Sequence, residues 1–167
     1  VYKRVLVPLD GSPVAEAVLP FVIEIAGPLD LEVVLLRVVP PMSAEVVEGA
    51  WAATQDLETR RIDAEEYLAP LAVELRARGL RVQARVQPGH PVEEIIAAAR
   101  QTGADLVAMS THGRSGLGRL VFGSVAEAVV RHAELPVLLM RVTQAEVARQ
   151  EARRAERTGA APSRRPA

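Results

Sequence analysis

Five short apolar runs, several rich in β-branched residues, punctuate the chain, and the segments between them carry helical periodicity. The first run, Arg4 to Leu9, leads into Asp10-Gly11-Ser12-Pro13. In that turn Ser12 suits a helix N-cap, and Pro13 suits the first helical position, where a missing N–H costs nothing. Apolar Val14, Val18, Leu19, Val22, Ile25 and Ala26 then recur at helical spacing until Gly27-Pro28 ends the helix. Leu31 to Val39 is nearly continuous in apolar residues, as a parallel strand covered on both faces would be, and Pro40-Pro41 closes it. From Ser43 to Arg78 the sequence is polar and helix-favouring. Its first part has weak periodicity, so the helix is expected from about Asp56 onward, with Gly79 as its stop.

Leu80 to Val86 alternates apolar and polar residues, which predicts a strand with one wet face at or near a sheet edge. Gly89-His90-Pro91 opens a further helix with Glu93 and Glu94 in its first turn, ending near Gly103. Asp105 to Met109 is the fourth predicted strand. Val137 to Val142, after a helix-like Val125 to Val130 and the turn Glu134-Leu135-Pro136, is the fifth.

Strands alternating with helices predict a parallel sheet with right-handed crossovers, hence an α/β fold built as a three-layer α/β/α sandwich. Ligands in such sheets bind outside the carboxyl ends of the strands, where the winding direction reverses. Two loops compete for that place, Pro8 to Ser12 and Ser110 to Ser124. The second reads as a long glycine-rich loop between a buried strand and a helix start. Backbone N–H groups there have no intrahelical partner and carry the positive end of the helix dipole, which suits a phosphate. Gly113, Gly116 and Gly118 permit close backbone approach to an anion. Ser124-Val125-Ala126-Glu127 also fits a capping box, so the Ser124 hydroxyl serves either the helix or a phosphate.

Composition narrows the picture. A chain of 167 residues, 49% hydrophobic and 25% charged, supports one globular core. A formal net charge of −1 gives no electrostatic case for a nucleic-acid or membrane partner, and no apolar run approaches the roughly 20 residues of a membrane span. The absence of cysteine removes disulfides and thiolate metal sites, and a cytoplasmic protein is the simplest expectation. Residues 1–142 form the expected domain. Residues 143–167 read as a charged, alanine-rich tail, partly helical or disordered, whose six arginines and three glutamates give it a net charge of +3.

Val7-Pro8-Leu9-Asp10-Gly11-Ser12, Gly89-His90-Pro91, Ser110-Thr111-His112-Gly113, the nine residues before Gly123-Ser124, and Leu135-Pro136-Val137-Leu138-Leu139 together resemble the universal stress protein family in order and spacing. The resemblance covers about residues 3–142. It implies a five-stranded parallel sheet in the order 3-2-1-4-5, Rossmann-like, with a homodimer paired through the last strand, here Val137 to Val142. In one branch of the family it also implies an ATP site. By position, that branch would set Pro8, Leu9 and Asp10 around the adenosine and Val38 at the adenine edge. Met109, Ser110, Gly113, Gly123, Ser124 and Val125 would surround the ribose and phosphates. The branch signature begins with glycine where this chain has Ser110, and a serine takes φ > 0 less cheaply.

Other residues have two readings. His112 touches phosphate or ribose, or turns the loop; Arg114 and Arg119 pair with phosphate oxygens or stay solvated. Asp10 binds a ribose hydroxyl or Mg²⁺, or closes an Asx turn on its own backbone. No Gly-x-x-x-x-Gly-Lys-Ser/Thr loop, dinucleotide fingerprint, metal-ligand cluster or nucleophilic triad is legible. The expectation is therefore an ATP-binding stress or signalling switch with at most weak ATPase activity. The alternatives are the same fold acting through dimer or partner contacts without nucleotide, and a slow ATP hydrolase.

Overall fold

The computed structural model describes residues 2–41, 50–112 and 123–159, with backbone alone at 50–53 and at 112. In chain order the elements are β1 (Arg4–Pro8), α1 (Pro13–Glu16), α2 (Leu19–Ala26), β2 (Glu32–Val39), α3 (Ala50–Ala77), β3 (Arg81–Pro88), α4 (Pro91–Thr102), β4 (Leu106–His112), α5 (Ser124–His132), β5 (Val137–Val142) and α6 (Gln144–Thr158). The strands form one parallel sheet in the order β3-β2-β1-β4-β5.

Alternation along the strands divides the core in two. Val5, Val7, Val33 and Leu35 pack against Leu19, Val22 and Ala26 of α2 and Leu68, Leu71, Ala72 and Leu75 of α3. Leu6, Val34, Leu36, Val107 and Met109 face the other way, against Ile95, Ala98 and Ala99 of α4 and Ala126 and Val129 of α5. Both faces of the central strands are thus apolar, which is why β1 and β2 read as near-continuous hydrophobic runs.

The single helix read from Val14 to Ala26 is instead two, α1 and α2, broken between Glu16 and Leu19. Pro20 explains the break. It has no N–H for the Glu16 carbonyl, and its ring crowds that carbonyl, so the helix restarts with Pro20 in its first turn. The helix expected from Asp56 begins at Ala50, because alanine and glutamine sustain helix without an apolar stripe. The fourth strand continues past Met109 to His112, where Ser110, Thr111 and His112 pair with Met140, Arg141 and Val142 of β5. Pairing with a neighbouring strand overrides the polar character that reads locally as loop.

α4 begins and ends where the sequence predicts, after His90 and at Gly103, which adopts the left-handed conformation and closes the helix with its N–H on Ala99 and Arg100 carbonyls. Residues 144–158 of the tail are helical. Thr143 and Glu146 cap one another there, and the Thr143 N–H holds the Glu146 carboxyl below its ordinary pKa.

Candidate nucleotide-binding cleft

The sheet itself opens the cleft. β1 and β4 pair only at Val5 with Leu106 and Leu6 with Val107, whereas β1 stays on β2 as far as Pro8 and Leu36, and β4 stays on β5 as far as Val142. Beyond Leu6 the two central strands part, each held by its outer neighbour. The gap falls at their carboxyl ends, between β1, from which the chain winds toward β2, and β4, from which it winds toward β5. This is the switch point that binds ligands in open parallel sheets.

A cavity of about 660 Å³ occupies the gap, within the range of small-molecule sites. Pro8, Leu9, Asp10, Val38, Met109, Ser110, Gly123, Ser124 and Val125 all line it. Residues more than a hundred positions apart are therefore gathered around one space. Gly113 and Arg114, with Gly116, Gly118 and Arg119, lie outside the described residues, as does the His112 side chain.

The β1–α1 turn forms one wall. The Ser12 N–H donates to Asp10 Oδ1 at 2.8 Å, closing an Asx turn, and Ser12 Oγ accepts the Ala15 N–H at 3.1 Å as the α1 N-cap. Gly11 sits at φ +83°, a conformation that a side chain would strain, so the tight path around exposed Asp10 requires glycine.

The opposite rim is the start of α5. Its N-cap is Gly123, with Ser124 as the first helical residue, so the capping-box reading of Ser124 does not hold. Gly123 has extended backbone and its carbonyl accepts the Glu127 N–H, and Ser124 is exposed. The first-turn N–H groups of a nine-residue helix thus stand at the cleft edge.

Ser110 lies in β4 with ordinary extended backbone; among the described residues only Asp30 is a non-glycine at positive φ. Serine therefore fits there without the strain that a left-handed position would impose. Its hydroxyl donates to the Val14 carbonyl, with the Ala15 carbonyl at 3.3 Å, tying β4 to α1 under the cleft floor. Neighbouring Thr111 is buried, and its hydroxyl has no hydrogen-bond partner among the described residues.

Sequence reasoning missed several lining residues, chiefly Arg37 and Arg60. Arg37 is the one charge interrupting the apolar run Val33 to Val39, a signal that was available. It donates to the Leu9 carbonyl at 3.3 Å and lies 5.7 Å from the centre of the Tyr67 ring. Arg60 reaches the cleft from α3 with Asp56 at 3.6 Å. Arg37 and Arg60 are the cations of the described lining and Asp10 its anion, with Asp56 beside Arg60.

Behind the wall lies a buried polar cluster. Glu16, fully buried, accepts hydrogen bonds from Tyr67 Oη at 2.9 Å, Gln150 Nε2 at 3.0 Å and Arg157 Nη2 at 2.7 Å. Burial, and then the Glu16 carboxylate beside it, push the Tyr67 hydroxyl far above its ordinary pKa, so it stays a donor. Among the described residues no group of three or more His, Asp or Glu side chains is arranged for a metal ion. Asp10 is the one carboxylate among the described lining residues. No helix among the described residues is long and apolar enough to cross a membrane.

Comparison with known proteins agrees with this architecture. The family model described as the universal stress protein family matches residues 1–141. Universal stress protein MJ0531 of Methanocaldococcus jannaschii is 33% identical over 142 residues, covering 84% of this chain and 82% of that protein. The solved structure of MJ0577 from the same organism superposes with a TM-score of 0.74 at 29% identity, covering 86% of this chain and 98% of that one. An Arabidopsis thaliana universal stress protein family structure with AMP bound has a TM-score of 0.63 at 18% identity, covering 86% and 94% of the two chains, and shows the shared fold.

Proposed function

The chain belongs to the universal stress protein family, and we propose that it binds ATP in the cleft between β1 and β4 and acts as a nucleotide-dependent stress or signalling switch. The observation that carries this reading is the parting of the two central strands beyond Leu6 and Val107, with Asp10 on one side of the gap and the α5 N-terminus on the other. Such a gap is apolar in its depth, at Leu36, Ile95 and Met109, and polar at its rim, which matches a base with a charged tail.

In this reading Pro8, Leu9 and Val38 pack around the adenosine, and Asp10 accepts from a ribose hydroxyl or holds Mg²⁺. Ser110, Gly123, Ser124 and Val125, with His112, Gly113 and Arg114 of the glycine-rich stretch, surround the ribose and phosphates. An AMP-bound relative of the same fold supports an adenine nucleotide as the ligand class. Occupancy acts as a switch to the extent that two states of the protein bind ATP unequally. The chain also pairs with a second copy through β5, the strand at one edge of the sheet.

Isothermal titration of the purified protein with ATP and Mg²⁺ tests the reading. Saturable binding at one site per chain is expected. No heat, together with no nucleotide in the protein as purified, overturns it. Light scattering at micromolar concentration tests the pairing, and a monomeric mass overturns that part.

A further inference from the structure

We propose that helix α6 braces the β1–α1 turn, with Arg154 as a positioning residue for Asp10, so that occupancy of the cleft and docking of the C-terminal helix stabilise each other. The second half of this proposal rests on the nucleotide reading above; the bracing itself does not.

The carbonyls on either side of Asp10 are both held by guanidiniums that reach it from distant parts of the chain. Leu9 O accepts from Arg37, and Gly11 O accepts from Arg154 Nη1. The two guanidiniums share one support, the Tyr67 ring, whose centre lies 5.7 Å from Arg37 Cζ and 5.9 Å from Arg154 Cζ. That ring is fixed in turn by its hydroxyl on Glu16. Asp10 closes the arrangement by accepting the Ser12 N–H. The turn that presents Asp10 to the cleft is thus held from behind, and one of its two braces belongs to α6.

α6 is suited to come and go. Most of its residues are exposed, and its attachment rests on polar anchors: Gln150 and Arg157 on Glu16, Arg157 also 3.4 Å from Glu74, and Arg154 on the turn. Gln150 is the one buried residue of α6, and a terminal helix that buries no apolar side chain of its own opens below the free energy of global unfolding. When it leaves, the Gly11 carbonyl loses its partner and the turn gains freedom. A ligand that needs Asp10 in place must then restore that order at a cost in affinity. Linkage makes the effect reciprocal, so a ligand bound against Asp10 holds α6 down by the same factor.

The experiment compares the full chain with Arg154→Ala, Arg154→Lys and a control, Arg153→Ala, which removes an exposed charge from the same helix. Hydrogen exchange of the Gly11 and Ser12 amides without ligand reads the brace, and titration with ATP and Mg²⁺ reads the coupling. Arg154→Ala is expected to speed exchange in the turn and to weaken ATP binding about fivefold or more. Arg154→Lys should recover part of both, and Arg153→Ala should match wild type. ATP should also slow proteolysis after the exposed α6 arginines of the wild-type chain. Unchanged turn exchange in Arg154→Ala overturns the brace, even if wild type binds no ATP. Wild-type ATP affinity in Arg154→Ala, or an equal loss in Arg153→Ala, overturns the coupling.

Discussion

Arg157 in the last helix donates to the fully buried carboxylate of Glu16 at 2.7 Å, across 141 residues of sequence. The pair joins a tail that looks solvated to the short helix behind the cleft wall. Only 14% of the Arg157 side chain is exposed, so the pair is largely withdrawn from water and screened little by salt. A buried ion pair adds little over a well-packed apolar pair, but breaking it leaves an uncompensated charge.

Removing one partner should therefore be costly. Arg157→Met is expected to lower stability by about 3–5 kcal/mol in urea unfolding. The double variant Glu16→Met with Arg157→Met should lose less than the two single variants together, since it removes both charges at once, although Tyr67 and Gln150 then lose their acceptor. Additive losses in the double-mutant cycle would sink the claim that the two side chains act as a unit.

Gly123→Val probes the opposite rim. Gly123 has negative φ, and a Cβ built there meets nothing within 4 Å among the described residues, so the variant should fold normally. Its branched side chain would stand at the mouth of the cleft against the first N–H groups of α5. ATP affinity is expected to fall at least about tenfold by titration, while the circular dichroism stays that of wild type and the melting temperature drops only by the few degrees that a poorer N-cap costs. Unchanged affinity would count against the cleft as the ATP site.

Ser110→Ala should report on the tie between β4 and α1. The serine hydroxyl donates to the Val14 carbonyl, and a net hydrogen bond of this kind contributes about 1 kcal/mol. A loss of that size in urea unfolding is expected. No loss would mean that the serine merely tolerates its position.

Acid should weaken the far end of the sheet. A side-chain hydrogen bond from Arg4 holds the Glu32 carboxyl below its ordinary value of 4.5, with Gln83 assisting and partial burial opposing. Because the folded pKa is the lower one, the stabilisation is present above the unfolded value and fades as pH falls through the folded one. Wild type minus Glu32→Gln, measured by urea midpoint, should thus be largest near neutrality and shrink below about pH 4.5. A difference that stays constant down to pH 3 would show that the ion pair is not its source.

Much of the cleft was legible because its chemistry is carried by local motifs. Pro8 to Ser12 and Gly123-Ser124 keep their meaning wherever the strands end, since turn, cap and positive φ depend on a few consecutive residues. Arg37 stands out only as a lone charge inside an apolar run, and Arg60 not at all, because a charge on a polar helix carries no local sign of whether it faces solvent or a cavity. The break at Pro20 was readable in principle, but apolar spacing across it concealed the missing N–H.

By itself the sequence determined which segments are strands and which faces of them are apolar, because side-chain periodicity records the face that leaves water. Tertiary structure alone decided how far each strand stays with each neighbour. The parting of β1 from β4, which makes the cleft, depends on ladders to β2 and β5 that no local pattern encodes. It also decided the fate of the tail. Residues 144–158 carry few apolar side chains, so their pattern reads as solvated, yet Gln150 and Arg157 find the buried Glu16 carboxylate, and Arg154 the half-buried Gly11 carbonyl, near the start of the chain. Polarity in a sequence does not separate a group left in water from one desolvated against a distant partner; only chain closure brings that partner within hydrogen-bond distance.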